Sequence, residues 1–323
     1  MTIQEIAPLA ERLCENVERV LIGKRREIRL VLAALLAGGH VLLEDVPGTG
    51  KTMLAKALAR SVDIGFGRVQ FTPDLLPSEL TGINFYSPKT GEFSFRQGGL
   101  FTNILLADEI NRATPRTQSG LLESMEERQV SVDGKTYALP DPYFVIATQN
   151  PVETQGTFPL PEAQLDRFLI QIKLGYPDED ESVQVLRRFI GDRGGAAAAP
   201  LTALEPVCGT QDLLAAIDAT SRVFVHDEVF RYIVRLAEAT RAHEAVALGV
   251  STRGCIALAR LVQAYVALEG RAFATPDDVK ALTPHVFTHR LLFRGGRQAA
   301  QAARVLSEIT GRVAAPVEDW PRV

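Results

Sequence analysis

The sequence predicts an α/β domain built on a buried parallel sheet, followed by an all-helical domain. Three observations predict it. Short continuous apolar runs alternate with helical patterns over residues 1–190, a Gly-, Ala- and Pro-rich stretch follows, and beyond it only helical patterns remain. Continuous runs mark strands covered on both faces, and strand–helix alternation marks a parallel sheet. The expected boundaries are 1–190 for the α/β core, 191–209 for a linker and 210–323 for a helical lid.

Each element has its own signal. Ile3, Ile6, Leu9, Leu13, Val17, Val20 and Leu21 recur at helical spacing,. A second helix over Arg26–Leu36 stops at Gly38-Gly39,. His40–Glu44 is a short apolar strand, and after a Pro- and Gly-containing turn Met53–Ala59 returns to a helix. Further strands are Arg68–Phe71, Asn103–Asp108, Tyr143–Thr148 and Phe168–Lys173. Two hairpins interrupt the repeat and read as insertions outside the core. Ile83–Tyr86 and Glu92–Arg96 flank one turn, and Gln129–Val132 and Thr136–Leu139 flank Asp133-Gly134,. Asp178 and Glu181 have capping-box spacing at the start of the next helix,. In the lid, helices are expected over Glu228–Thr240 and Thr252–Glu269, and a third opens at Thr275-Pro276,.

Composition narrows the function. A net charge of −4 gives no electrostatic reason for tight nucleic-acid binding,. Cys14, Cys208 and Cys255 are odd in number and far apart, which suits a reducing cytosol better than a disulfide framework,. No apolar stretch approaches the ~20 residues of a membrane helix, and the first residues lack the basic start of a signal peptide. A cytoplasmic protein is expected.

The chemistry begins at Pro47-Gly48-Thr49-Gly50-Lys51-Thr52, set between a strand and a helix. That context is what a phosphate-binding loop requires. Gly48 and Gly50 let the backbone curl so that successive N–H groups point at phosphates. Lys51 adds a charge for the β- and γ-oxygens, Thr52 offers a hydroxyl to Mg²⁺, and the helix N-terminus favours anions. The usual pattern starts with Gly where this chain has Asp45, a residue that tolerates turn conformations at modest cost,.

Ile104–Glu109 is an apolar strand ending in two acids. Asp108 suits a magnesium ion and Glu109 suits orienting and polarising a water. Thr148-Gln149-Asn150 ends another strand, and Asn150 is the candidate to position that water with Glu109. Asn150 before Pro151 is also a turn starter.

With these residues in order, the sequence resembles the MoxR family of AAA+ ATPases. Leu42–Thr52, Phe71–Gly82, Asn103–Ala113, Ala147–Pro151 and Leu160–Phe168 carry the resemblance across nearly all of the α/β domain. It implies a hexameric or related homo-oligomeric ring with ATP between neighbouring subunits. Lys51 and Thr52 then fall in the Walker A motif, Asp108 and Glu109 in Walker B, and Asn150 at sensor 1. Arg167 takes the arginine-finger position toward the next subunit's ATP, and Arg253 is the sensor-2 candidate on the lid. The hairpins correspond to the helix-2 and pre-sensor-1 inserts.

The residues leave alternatives open beside that resemblance. Arg167 could form a surface ion pair with Asp166 or Glu162, Arg112 and Arg116 are rival fingers, and Arg253 could be an ordinary surface arginine. His285 and His289 lack a third ligand and do not read as a metal site. Cys255 reads as core. Arg290, Arg294, Arg297 and Arg304 read as a solvated or subunit-facing surface.

The resemblance points to an ATP-driven chaperone that matures a client, such as a protein with a von Willebrand factor A domain. A nucleic-acid translocase and a nucleotide-gated scaffold with little turnover are the alternatives. Against the former, the hairpins hold only Lys89 and Arg96, and Arg128 and Lys135.

Overall fold

The apolar runs of the first half assemble into a five-stranded parallel sheet whose order explains where the polar strand ends meet. The structure, a computed structural model, describes residues 1–46, 48–89, 91–150, 156–190, 201–296 and 298–316. Helices α1 (Ile3–Glu18) and α2 (Arg25–Leu36) precede β1 (Val41–Glu44), followed by α3 (Lys51–Ser61) and β2 (Phe66–Gln70). A short α4 (Pro77–Thr81) leads into the hairpin β3 (Ile83–Ser87) and β4 (Glu92–Arg96), then β5 (Ile104–Asp108) and α5 (Pro115–Glu127). The second hairpin, β6 (Gln129–Val132) and β7 (Lys135–Ala138), leads to β8 (Phe144–Gln149), α6 (Glu162–Leu165), β9 (Ile170–Ile172) and α7 (Glu179–Ile190).

The strand order is β2-β5-β8-β1-β9. Side chains alternate faces along each strand, and both faces are covered. Val41, Leu43, Ile104, Leu106, Phe144, Ile146, Ile170 and Ile172 belong to one core, shared with α1, α2, α3 and the lid. Leu42, Leu105, Ala107, Val145 and Ala147 belong to the other, closed by Leu80 of α4 and by Leu121, Leu122 and Met125 of α5. This two-sided burial is why the strands read as unbroken apolar runs.

The second hairpin corrects the expectation that neither insert serves the core. Val130 of β6 and Leu139 beyond β7 are buried in the second cluster. The two hairpins also meet. Phe95 stacks on Tyr137 with ring centroids 3.9 Å apart, and Asn84 Nδ2 donates to Asp133 Oδ2 at 2.6 Å.

The lid comprises α8 (Thr210–Thr220), α9 (Asp227–Ala242), β10 (Val246–Leu248), α10 (Thr252–Leu268), α11 (Pro276–Phe287), β11 (Leu292–Phe293) and α12 (Ala299–Arg312). The lid is helical, as expected, with one short antiparallel pair, β10 and β11, added to it. Both strands are too short to show a period in sequence. Thr275 caps α11 with Pro276 in its first turn, as the sequence indicates. Helix α10 packs against α1 and α2, so the lid shares a continuous apolar core with the sheet's near face. Residues 191–200 lie outside the described residues, whereas the following segment is tied down. Val207 N donates to Ser61 O at 2.7 Å, and Arg60 Nε donates to Leu204 O at 2.8 Å.

Candidate active site

Strand β1 lies between β8 and β9, so the loop that follows it opens beside the end of β8, with β5 one strand further on. Gly48 and Gly50 have φ of +86° and +91°, the left-handed region that side chains avoid,. A Cβ on Gly50 would also lie 2.6 Å from Leu21 Cδ1. Helix α3 starts at Lys51, so its free N–H groups face the loop,. Lys51 Nζ meets only carbonyl oxygens, Asp45 O at 2.9 Å and Val46 O at 3.2 Å, and pairs with no carboxylate among the described residues. An unneutralised ammonium beside a curled backbone suits phosphate. Thr49 is buried and Thr52 half-buried, while Pro47 lies outside the described residues.

Asp45, the departure from the usual loop pattern, is a tether. Its Oδ1 accepts from Val46 N at 2.9 Å, and its Oδ2 accepts from Leu174 N at 2.9 Å and Gly175 N at 2.8 Å. The carboxylate is buried and joins the start of the phosphate loop to the chain leaving β9. Asp45→Ala would orphan three donors, each costing about 1–3 kcal/mol when left buried. Its urea midpoint is expected to fall clearly, and that of Asp45→Asn, which keeps an acceptor, to fall less. Equal midpoints for Asp45→Ala and the parent would refute the tether.

One strand pair away stand the acids. The register sets Leu43 beside Thr148 and Ala107 beside Ala147, which puts Asp108 level with Thr148. Thr148 Oγ1 donates to Asp108 Oδ1 at 2.6 Å and accepts from Glu109 N at 2.8 Å. That second bond helps hold Glu109 at φ +57°, a strained conformation for a side chain of its size,. Asn150, buried, follows the Glu44–Gln149 register pair, so it arrives beside Asp45.

Two residues on β2 escaped the sequence reading. Arg68 NH2 donates to Asp108 Oδ2 at 2.8 Å, and Gln70 Nε2 donates to Glu109 Oε2 at 2.8 Å. Arg112 NH1 donates to the same Glu109 oxygen at 3.0 Å. Among the described residues Glu109 Oε1 accepts no hydrogen bond, so it is the oxygen open to a water. The missed signal was polarity at positions 68 and 70, one strand face, next to an acid-tipped strand.

Arg167 and Arg253 sit elsewhere. Leu169 N donates to His40 O at 2.8 Å, so Arg167 lies at the N-terminal edge of the sheet, while Lys51 lies beyond the C-terminal edge. At about 3.3 Å per residue, β1 alone separates the two edges by roughly 13 Å. Arg167 NH2 is 3.1 Å from Glu126 Oε2, and Arg253 NH2 is 2.7 Å from Glu126 Oε1. The partner is neither Asp166 nor Glu162. The structure thus brings Arg167 and Arg253 together and brings neither to the phosphate loop of its own chain.

Arg290 corrects another expectation. Its side chain is 2% exposed, not a solvated surface group. It donates to Asp166 Oδ1 at 2.6 Å and to the backbone oxygens of Asp166, Phe168 and Leu169, which fixes the segment carrying Arg167. Burial pulls its pKa downward, and Asp166 opposes the shift. Nearby His40 is pushed down to about 4 by burial and so is neutral at pH 7, with its Nε2 bonded to Met125 O and its Nδ1 accepting from Val145 N. Cys255 packs half-buried against the core, and burial pushes its thiol pKa up.

Comparison with known proteins identifies the family. The model of the ATPase family associated with various cellular activities (AAA) covers residues 40–170, and that of the AAA lid domain covers residues 238–309. The uncharacterised protein YeaC of Bacillus subtilis is 48% identical, over 98% of this chain and 97% of its own. A crystal structure of a proposed ATPase from Cytophaga hutchinsonii superposes with a TM-score of 0.87 at 33% identity, covering 98% of this chain and 97% of that one. Protein MoxR of Paracoccus denitrificans is 33% identical over 88% of this chain and 89% of its own. Chaperone MoxR1 of Mycobacterium tuberculosis is 40% identical over 87% of this chain and 75% of its own. With both domain models matched in order and relatives of that name aligned over most of their length, the chain belongs to the MoxR family of AAA+ ATPases.

Proposed function

We propose that this ATPase converts ATP and water to ADP and phosphate with magnesium, as a homo-oligomeric, hexameric ring in the cytoplasm that remodels a protein client. The chaperone name of the mycobacterial relative supports the client, and a von Willebrand factor A domain is the kind of client we assign. Among the described residues no helix is long and apolar enough to cross a membrane.

The roles follow from the chain's own groups. The backbone N–H groups of residues 48–50, with the N–H and ammonium of Lys51, grip the triphosphate. Thr52 and Asp108 are the oxygen donors offered to Mg²⁺, which supplies charge neutralisation of the phosphoryl oxygens. Asn150 orients the attacking water and Glu109 accepts its proton. Arg167 and Arg253 neutralise charge on the phosphoryl group held by the adjacent subunit.

One observation carries this reading. The two arginines share Glu126 at the sheet edge away from their own Lys51, which supports a site completed by a second subunit. Mixing tests it. Lys51→Ala and Arg167→Ala chains, each inactive, should regain phosphate release when combined, because one donates the finger and the other the phosphate loop. Mixtures that stay as inactive as their components would overturn the two-subunit site.

A further inference from the structure

At the sheet edge remote from Lys51, a cleft of about 260 Å³ opens between the end of α5, the Arg167 segment and α10. Arg128, Arg167, Arg253, Arg260 and Arg290 line it, faced by the carboxylates of Glu126 and Asp166. The cleft is therefore net positive. Among the described residues Arg260 pairs with no carboxylate, and Arg167 Nε is buried without a hydrogen-bond partner.

The two acids differ. Asp166 is committed to the fold. It holds Arg290 Nε at 2.6 Å and the Ser251 hydroxyl at 2.9 Å, and Ser251 caps α10, the helix that carries Arg253. The cleft's floor is thus prebuilt and joins core to lid. Glu126 stands at the rim in the last turn of α5, with its side chain 32% exposed. It gives one oxygen to Arg167 and the other to Arg253. A carboxylate spanning two guanidinium groups does what a phosphoryl group would do there. A polyphosphate carries more charge and more acceptor oxygens, and can bridge the same two guanidinium groups, so it can replace the acid.

We infer that Glu126 is an internal stand-in for a phosphate oxyanion: it parks Arg167 and Arg253 side by side in the separate subunit and yields them when a polyphosphate enters the cleft. This rests on the reading that both arginines serve a neighbour's nucleotide. The exchange sets a threshold. A weakly charged anion cannot displace Glu126, and loss of charge after hydrolysis lets Glu126 reclaim both partners. Because Arg253 belongs to the lid and the other two to the core, each exchange also makes or breaks a lid contact.

Inorganic tripolyphosphate titrated calorimetrically into full-length chain tests the idea, with Lys51→Ala present throughout to weaken the other phosphate site. Adding Glu126→Gln should tighten binding about tenfold, the effect of freeing two charged donors from a competing acid. Glu127→Gln, the same charge change one residue along, should leave the affinity of Lys51→Ala unaltered. Adding Arg253→Ala to the Glu126→Gln chain should abolish the gain. Equal affinity with and without Glu126→Gln, or a gain that survives Arg253→Ala, overturns the inference. The subunit-mixing result stands apart from this one, since it reads phosphate release with Glu126 intact.

Discussion

Arg167→Ala is expected to lower turnover in the assembled ring by about 10³–10⁵-fold, the range an arginine finger contributes, while the lone subunit binds ATP as before. The asymmetry follows from placement. Arg167 lies a strand's length from its own Lys51, so its loss removes nothing from binding in the same chain. On the proposed two-subunit site it would remove charge stabilisation felt only as the phosphoryl group transfers. Arg167→Lys should recover little, because an ammonium offers one point charge where the guanidinium offers a planar fork. Steady-state phosphate release and equilibrium ATP binding separate the two effects. A loss below tenfold would move the role to Arg112 or Arg116. Of these, Arg112 already binds Glu109 in its own chain, and Arg116 is exposed on the first turn of α5.

Glu109→Gln is the second large effect. Turnover should fall by about 10²–10⁴-fold, the usual worth of a positioned base, with ATP retained. The amide keeps the shape of the side chain and can still meet Gln70 and Arg112 through its oxygen. It cannot accept a proton from water at Oε1. The chain should therefore hold ATP and stay bound to its client, so that affinity capture with this variant enriches that partner over the parent chain. Turnover undiminished in Glu109→Gln would remove this residue from the chemistry, whatever the fate of the ring.

Much of this was legible beforehand because the sheet is covered on both sides. Continuous apolar runs ending in Asp108-Glu109 and in Gln149-Asn150 mark strands whose polar tips meet at one edge, and the register confirms that they do. What escaped depends on partners distant in sequence or without side chains. Asp45 looked like a tolerated departure, yet it binds amides of Leu174 and Gly175, and backbone amides leave no residue-type signal. Arg290 looked like surface charge for the same reason, since several of its acceptors are carbonyls. Glu126 lay hidden among the acids of α5, because only the folded chain sets that helix end against Arg167 and Arg253.

Asp45 has a mechanical consequence. A single oxygen, Oδ2, grips two successive amides of the chain that leaves β9 toward α7, and the same side chain steadies the first turn of the phosphate loop. The two segments are leashed together, with no slack residue between them. A shift of the loop would therefore pull on the exit of the last strand, and a swing of that exit would tug the loop in return. The link runs through one buried carboxylate, at the position where the usual pattern has a glycine, which has no side chain to make it.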